Sequence, residues 1–402
     1  VAAERTYDVV VFGATGFTGR LTAEYLARHA PAGCRWALAG RNADKLRAVR
    51  AGLAEVDPAC AELPLLHADT ADAASMRELA ESTRVVLTTV GPFLHHGEPL
   101  VAACADAGTD YADITGEPEF VDRMYLRHHE RATRSGARIV HACGFDSVPH
   151  DLGALFTVSQ LPTRGPVHVE GFVRAGGRFS GGTYASALTA FSRGRTMLRT
   201  ARTRRRAEPR PPGRRIRTHT GRARLGGSTH AWALPLPTID PQVIARSAAA
   251  SEEYGPDFTY GHYAAVKRLP IAVAGVIALG ALALLAQIPP ARKRLLRWFE
   301  PGSGPSRQQR ARSWFTVRFA GCADDRRIVT EVSGGDPGYD ETSKMLAESA
   351  LCLAFDTLPA TSGQVTPATA MGEALIRRLT EAGMRFEVLD SAPTGPPSRK
   401  TG

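Results

Sequence analysis

Three glycines set the first chemistry open to this chain. Gly13, Gly16 and Gly19 follow directly on Val9–Val10–Val11–Phe12 and lead into a stretch, Phe17 to His29, that reads as a helix. Strand, glycine turn and helix in that order make a dinucleotide cradle. Gly13 permits the tight turn, Gly16 leaves the backbone open to a pyrophosphate, and Gly19 lets the helix close on the strand. The helix N-terminus adds free N–H groups and the positive end of its dipole. Thr15 and Phe17 stand in the same turn and are assigned to the same contact. The next apolar run, Arg35–Gly40, holds no acid, and Arg41 follows it. An acid there holds a ribose 2′-hydroxyl, whereas an arginine receives a 2′-phosphate, so NADP(H) is the expected cofactor. The alternative is a solvated loop charge.

A proton donor must accompany a hydride carrier. Cys143, Asp146 and Ser147 crowd the end of an apolar run, Arg138–His141, and Tyr184 follows Gly181–Gly182 at the start of a predicted helix. Cys143, Asp146 and Tyr184 are the candidate catalytic residues. A phenol can give a proton to the carbanion left by hydride addition. Each also has a structural reading: Asp146 as a turn brace, Tyr184 as packing or a cap, and neighbouring Asp151 as a cap for Leu152–Gln160.

The elements that must position these groups alternate along the first 150 residues. Predicted strands are Val9–Gly13, Arg35–Gly40, Leu63–His67, Val85–Val90, Tyr111–Ile114 and Arg138–His141, with helices between them. That is a doubly wound parallel sheet, which binds ligands beyond the carboxyl ends of its strands. Asn42 is placed to cap the second helix and to border the cofactor. Asp69 either reaches the adenine end or caps the helix Ala73–Glu81. Gly91 and Pro92 border the nicotinamide. The expected fold class is α/β, an N-terminal Rossmann domain (1–150) with a second α+β domain (151–390) and a disordered tail (391–402). In the second domain Trp314–Ala320 and Arg327–Val332 read as paired strands, Asp340–Phe355 and Pro367–Ala382 as helices, and Phe386–Val388 as a last strand.

Composition narrows the classes further. The 402 residues are 43% hydrophobic and 22% charged, as in a folded globular protein. The net charge of +10 is local: Arg193–Arg224 holds thirteen arginines and a single acid, Glu208. That segment reads as a helix tail running into a loop with a solvated basic face, suited to anionic headgroups or an acidic carrier protein. Nucleic acid is not expected, since no recognition module or interleaved aromatics accompany it. The six cysteines are scattered and the adjacent pairs His95–His96 and His128–His129 lack ligand spacing, so reduced thiols and no metal are expected.

Between Lys267–Arg268 and Arg292–Lys293–Arg294 lies an apolar segment, 269–288. Its reach of about 27 Å is marginal against a hydrocarbon core of ~30 Å. Three readings stand: attachment to a membrane surface, a buried or homodimer-interface helix, or a true span. Val1–Tyr7 is short and charged, unlike a secretory signal, so the expected location is cytoplasmic and peripheral to a membrane.

The chain resembles the saccharopine dehydrogenase-like oxidoreductases, above all the actinobacterial trans-acting enoyl reductases. The resemblance is carried by Gly13-Ala-Thr-Gly16-Phe-Thr-Gly19, Ala39-Gly-Arg41-Asn, Val90-Gly-Pro-Phe93 and Tyr111-Ala-Asp-Ile-Thr-Gly-Glu117. It continues through Cys143-Gly-Phe-Asp-Ser-Val-Pro149, Ser180-Gly-Gly-Thr-Tyr-Ala-Ser186, Trp314-Phe315, Gly338-Tyr-Asp-Glu-Thr-Ser343 and Val365-Thr-Pro-Ala-Thr-Ala-Met-Gly-Glu373. It implies an NADP-dependent enoyl reductase acting on a lipid or polyketide acyl thioester, with a carrier protein as the possible bearer. The rival expectations are an NADP-dependent ketone or imine reductase, and a non-catalytic membrane-associated dinucleotide-binding protein.

Overall fold

In the computed structural model, residues 5–177, 188–189, 191–226, 231–296 and 304–393 are described. Strand β1 (Tyr7–Phe12) is buried over all but its first residue. Its run of valines is what a strand covered on both faces requires. It pairs in parallel with β2 (Trp36–Gly40) and with β4 (Thr83–Thr88), and β2 pairs with β3 (Leu65–His67). On the other side β4 pairs with β5 (Asp110–Asp113) and β5 with β6 (Arg138–Val140). All six predicted strands are present, three of them shorter than the apolar runs that announced them.

The sheet has a seventh strand that comes from far down the chain. Gly363–Val365 adds in parallel to the outer edge of β6. The helix before it, Asp340–Phe355, packs beside the helix Phe17–His29 and over β1, β4 and β5. Tyr25 donates to Glu348 Oε1 at 2.7 Å across that contact, and Ser343 donates to the Thr18 carbonyl at 3.3 Å. The nucleotide-binding sheet is therefore completed by a segment expected to belong wholly to the second domain.

The second sheet is mixed. Strand β7 (Pro166–Gly176) lies at its centre, parallel to β11 (Asp257–Val266) and antiparallel to β12 (Trp314–Ala323). Beyond β12 come β13 (Arg326–Gly334) and then the last strand, Arg385–Pro393. The free side of β11 is shared: its first half pairs with β8 (Arg215–His219), its second with β10 (Ala231–Pro235), which also pairs with β9 (Arg224–Gly226). Strand β12 alternates buried and accessible residues along its length, so one face is core. The helix Val148–Val158 fills that face, and Gly153 is required there: a Cβ would lie 2.3 Å from the Phe319 ring.

Three expectations are corrected. The arginine-rich segment is not a helix running into a loop, because Arg215–His219 and Arg224–Gly226 are strands held by β11 and β10. Nor is its charge all solvated: Arg204 is buried against Asp122, and Arg193, Arg217 and Arg224 pair with Glu119, Asp257 and Glu170. The helix expected over Pro367–Ala382 breaks into Pro367–Ala370 and Gly372–Glu381, with Gly372 at φ +45°. Residues 391–393, expected in the tail, belong to the last strand, where Ser391 pairs with Ile328.

Candidate active site

The glycine turn has the shape a pyrophosphate needs. Gly13 sits at φ +93°, and a Cβ there would meet Val90 Cγ2 at 2.7 Å. A Cβ on Gly19 would lie 2.2 Å from the Gly13 carbonyl oxygen, so only glycine lets this helix meet this strand. Gly16 is the N-cap of Phe17–His29; no side chain caps it and its first turn holds no acid. Those N–H groups are free for an anion. Thr15 is exposed beside them. The Phe17 ring packs edge-on to Tyr339 with centroids 4.9 Å apart, which leaves its backbone as the part facing the turn.

Arg41 is exposed just past β2, and among the described residues no acid pairs with it. Asn42 accepts from Lys45 N at 2.9 Å and caps the helix Ala43–Ala54. Asp69 does not cap the helix Ala73–Ser82; Asp72 does, while Asp69 accepts from Ala71 N at 3.0 Å and braces the turn before it. Gly91 and Pro92 are exposed past β4. Their loop is held by Glu117, whose carboxylate accepts from the N–H groups of Phe93 (3.3 Å) and Leu94 (2.8 Å).

The second half of the site is built on Asp113, fully buried at the end of β5. Its Oδ1 accepts from Thr115 N and Ala142 N, and its Oδ2 meets Tyr111 OH at 2.8 Å and His141 Nδ1 at 2.7 Å. These four bonds hold the loop after β6, where Ala142 adopts φ +60°, a conformation non-glycine residues seldom keep unaided. The loop then separates the expected catalytic residues. Cys143 faces the core: it is fully buried, its thiol donates to the Val140 carbonyl, and burial pushes its pKa far up. A thiol so placed favours packing over the catalytic role expected for it. Asp146 remains partly accessible, with Oδ1 3.0 Å from where a Gly116 Cβ would stand. Gly116 adjoins Glu117, so Asp146 and the Gly91–Pro92 loop meet on one short segment. Asp151 caps no helix of its own; it accepts from Ser247 Oγ and from Ala368 N at 2.8 Å. Tyr184 lies outside the described residues.

The carboxyl of Asp146 is pushed up to about 7, first by burial and then by the negative charge of Asp240, with His150 opposing. Asp240 opens the helix Asp240–Ala250 and is itself fully enclosed. His150 Nδ1 approaches its Oδ1 at 3.0 Å and His262 Nε2 its Oδ2 at 3.4 Å; burial raises the Asp240 carboxyl, but these two imidazoles outweigh it and hold Asp240 far below the usual carboxylate range. Tyr260 OH meets His262 Nδ1 at 2.9 Å, and Ser147 Oγ lies 3.5 Å from Asp240. Sequence reasoning missed Asp240, His262, Tyr260 and His150. Tyr260 and His262 are two apart on β11, on one buried face, and two polar residues so placed in an apolar strand were the available signal. The donor atoms of His150, Asp240 and His262 lie within 4.8 Å of one another, as do those of His168, Glu170 and His219. On the second set Arg224 already occupies the carboxylate.

A doubly wound parallel sheet with a glycine turn and a helix N-terminus that no side chain caps defines a dinucleotide-binding fold. Comparison with known proteins agrees. The saccharopine dehydrogenase NADP-binding domain family matches residues 9–140. A trans-acting enoyl reductase of Mycobacterium tuberculosis is 37% identical over 95% of this chain and 97% of its own length. One from Mycobacterium ulcerans is 35% identical over 95% and 98%. Among solved structures, saccharopine dehydrogenase from Saccharomyces cerevisiae shares the fold, with a TM-score of 0.57 over 96% of this chain and all of that one at 10% identity. The chain belongs to the trans-acting enoyl reductase family of saccharopine dehydrogenase-like oxidoreductases.

Proposed function

We propose that this enzyme reduces a carbon–carbon double bond conjugated to the carbonyl of an acyl thioester, the acyl chain being a lipid or polyketide borne on a carrier protein. The carrying observation is Asp146, a partly accessible carboxyl held near neutrality against Gly116, next to the Glu117 that holds the Gly91–Pro92 loop. Bound NADPH would supply the hydride, with its pyrophosphate on Gly13, Thr15, Gly16, Phe17 and Gly19 and its 2′-phosphate on Arg41 and Asn42. Asp69 borders the adenine, and Gly91 and Pro92 the nicotinamide. Asp146 in its protonated form gives a proton to the carbon next to the thioester carbonyl and regains one from solvent. Asp240, clamped between His150 and His262, adds to burial in raising that carboxyl and acts as a positioning residue. Tyr184 is the alternative donor, and Tyr184→Phe is tested beside Asp146→Asn. The names of the relatives support the reaction class; six free cysteines support a reducing, cytoplasmic location. The described residues include one helix long and apolar enough to cross a membrane, Leu269–Ala286, and we place the enzyme at a membrane surface.

The test follows NADPH absorbance with 2-enoyl thioesters, ketones and imines in parallel. Consumption with the enoyl thioester alone is the expected result. Turnover of a ketone or imine instead would transfer the assignment to those substrates.

A further inference from the structure

The helix Leu269–Ala286 cannot be the core helix of this fold. Ile271, Val273, Val276, Ile277, Leu284, Leu285 and the following Ile288 are each between 41% and 72% exposed. Neighbours such as Val276 and Ile277, or Leu284 and Leu285, point to different sides, so the helix is bare over more than one face. An all-round apolar helix belongs in a protein core or in hydrocarbon.

Topology decides how it meets a membrane. The chain enters this helix from β11 and returns to β12, and both strands pair with β7: Val173 faces Ala264 on one side and Val317 on the other. One crossing would put β12 across the bilayer from β11, which the shared sheet forbids. Among the described residues between Gln287 and Ser313 no segment makes a second crossing. Between Gln287 and Ser313 the described helices are Pro289–Leu296, with Arg292, Lys293 and Arg294, and the five-residue Arg307–Ala311. Eight residues of helix reach only about 12 Å against a core of ~30 Å. The helix is also tied to the body at both ends. It contacts β10 and β11, and past its C-terminus Gln287 Nε2 donates to the Phe191 carbonyl at 2.6 Å.

Phe191 leads into the basic helix Gly194–Ala207. There Arg195, Arg199, Arg202 and Arg206, spaced four, three and four apart, form one exposed stripe. Its opposite side is anchored by Arg204, buried on Asp122 and stacked over Tyr125. No acid pairs with the four exposed arginines among the described residues. Exposed Lys267, Arg268 and Arg294 flank the apolar helix.

We propose that Leu269–Ala286 inserts into a single leaflet of a bilayer, entering and leaving on one side, while the Arg195–Arg206 stripe binds anionic phospholipid headgroups beside it. This deepens the membrane-surface location proposed above and is independent of the reaction assigned to Asp146. Cationic flanks at both ends stop the helix at headgroup depth, and the stripe supplies attraction that salt weakens.

The test floats the full chain with vesicles of phosphatidylcholine, with and without phosphatidylglycerol. The wild type is expected to float with the anionic vesicles and to be released by salt. Ile277→Asp lowers bound protein at least about tenfold, and Arg199→Glu/Arg202→Glu lowers it about tenfold on anionic vesicles. Both variants keep wild-type NADPH binding and turnover of a short, water-soluble enoyl thioester, which shows that they fold and keeps failure here separate from failure of the reductase assignment. Trypsin added outside is expected to cut both basic flanks. Absence of flotation overturns the proposal. So does protection of one flank alone, which means crossing, or a wild-type dimer that Ile277→Asp dissociates with no change in flotation, which means the helix covers a second copy.

Discussion

Replacing Asp146 by asparagine removes the ionisable group and keeps its size. A carboxyl at its ordinary 3.8 would be protonated in roughly one molecule in 1,600 at pH 7, whereas one near 7 is protonated in about half. The environment built by Gly116, Asp240 and the loop after β6 thus makes a usable acid of a side chain that is otherwise spent at neutral pH. Removing a positioned general acid costs about 10²–10⁴-fold in rate. Asp146→Asn is expected to lower kcat by that factor and to leave the Kd of NADPH unchanged, since the glycine turn and Arg41 are untouched. In the wild type kcat should fall as pH rises through about 7. Asp240→Asn removes the charge that raises this carboxyl, so the fall should begin at lower pH. Stability gives an independent reading with a fixed sign. Because the folded value lies above the unfolded one, ionisation of Asp146 costs stability progressively from about pH 4 to 7. Asp146→Asn should therefore raise Tm at pH 8 by about 2 °C or more and leave it unchanged at pH 3. Wild-type kcat in Asp146→Asn, or a pH profile that Asp240→Asn does not move, refutes the proton assignment.

Arg41→Ala should weaken NADPH binding about 10–100-fold and leave NADH unchanged, as read by fluorescence titration, because one charge-assisted contact to the 2′-phosphate is lost. Gly19→Ala places a Cβ 2.2 Å from the Gly13 carbonyl, and it should abolish cofactor binding or folding, followed by titration and circular dichroism. Asp151→Ala strips partners from Ser247 and Ala368 N in a fully buried site, and should cost about 2–4 kcal/mol of stability in urea melts. Cys143→Ala should keep kcat within about threefold, because its thiol is enclosed by the core.

The dinucleotide-binding fold was legible because its signature is local. Strand β1, the three glycines, the helix Phe17–His29 and Arg41 lie within thirty-five residues of one another, and their spacing is a backbone requirement that sequence displays directly. The ends of Phe17–His29 and Asp340–Phe355 were read without error for the same reason. Contacts between distant segments were not legible. Nothing at Gly363–Val365 announces a parallel strand beside β6, since three residues show no periodicity. Likewise Arg215–His219 is an arginine-rich strand that only its neighbour β11 makes regular, an instance of tertiary pairing overriding composition.

That division has a chemical logic. Binding a pyrophosphate needs backbone N–H groups, and consecutive residues supply them; moving a proton at neutral pH needs a perturbed carboxyl, which takes burial and charge from several elements at once. Asp146 is on the loop after β6, Asp240 heads a helix almost a hundred residues later, and His262 comes from the central region of the second sheet. The sheet that holds the cofactor therefore does not set the acidity of its donor alone: besides burial, Asp240 raises it from one side and Asp113 and Glu117 from the other. It depends on Val148–Val158 and Asp240–Ala250 being packed together, the junction that Asp151 ties through Ser247. A reductase whose proton donor is tuned by contacts between distant segments loses activity when those contacts loosen, before it loses its cofactor. In a urea titration, kcat should accordingly fall at lower denaturant than NADPH binding does, and coincident transitions would contradict the assignment of Asp240 as the residue that tunes Asp146.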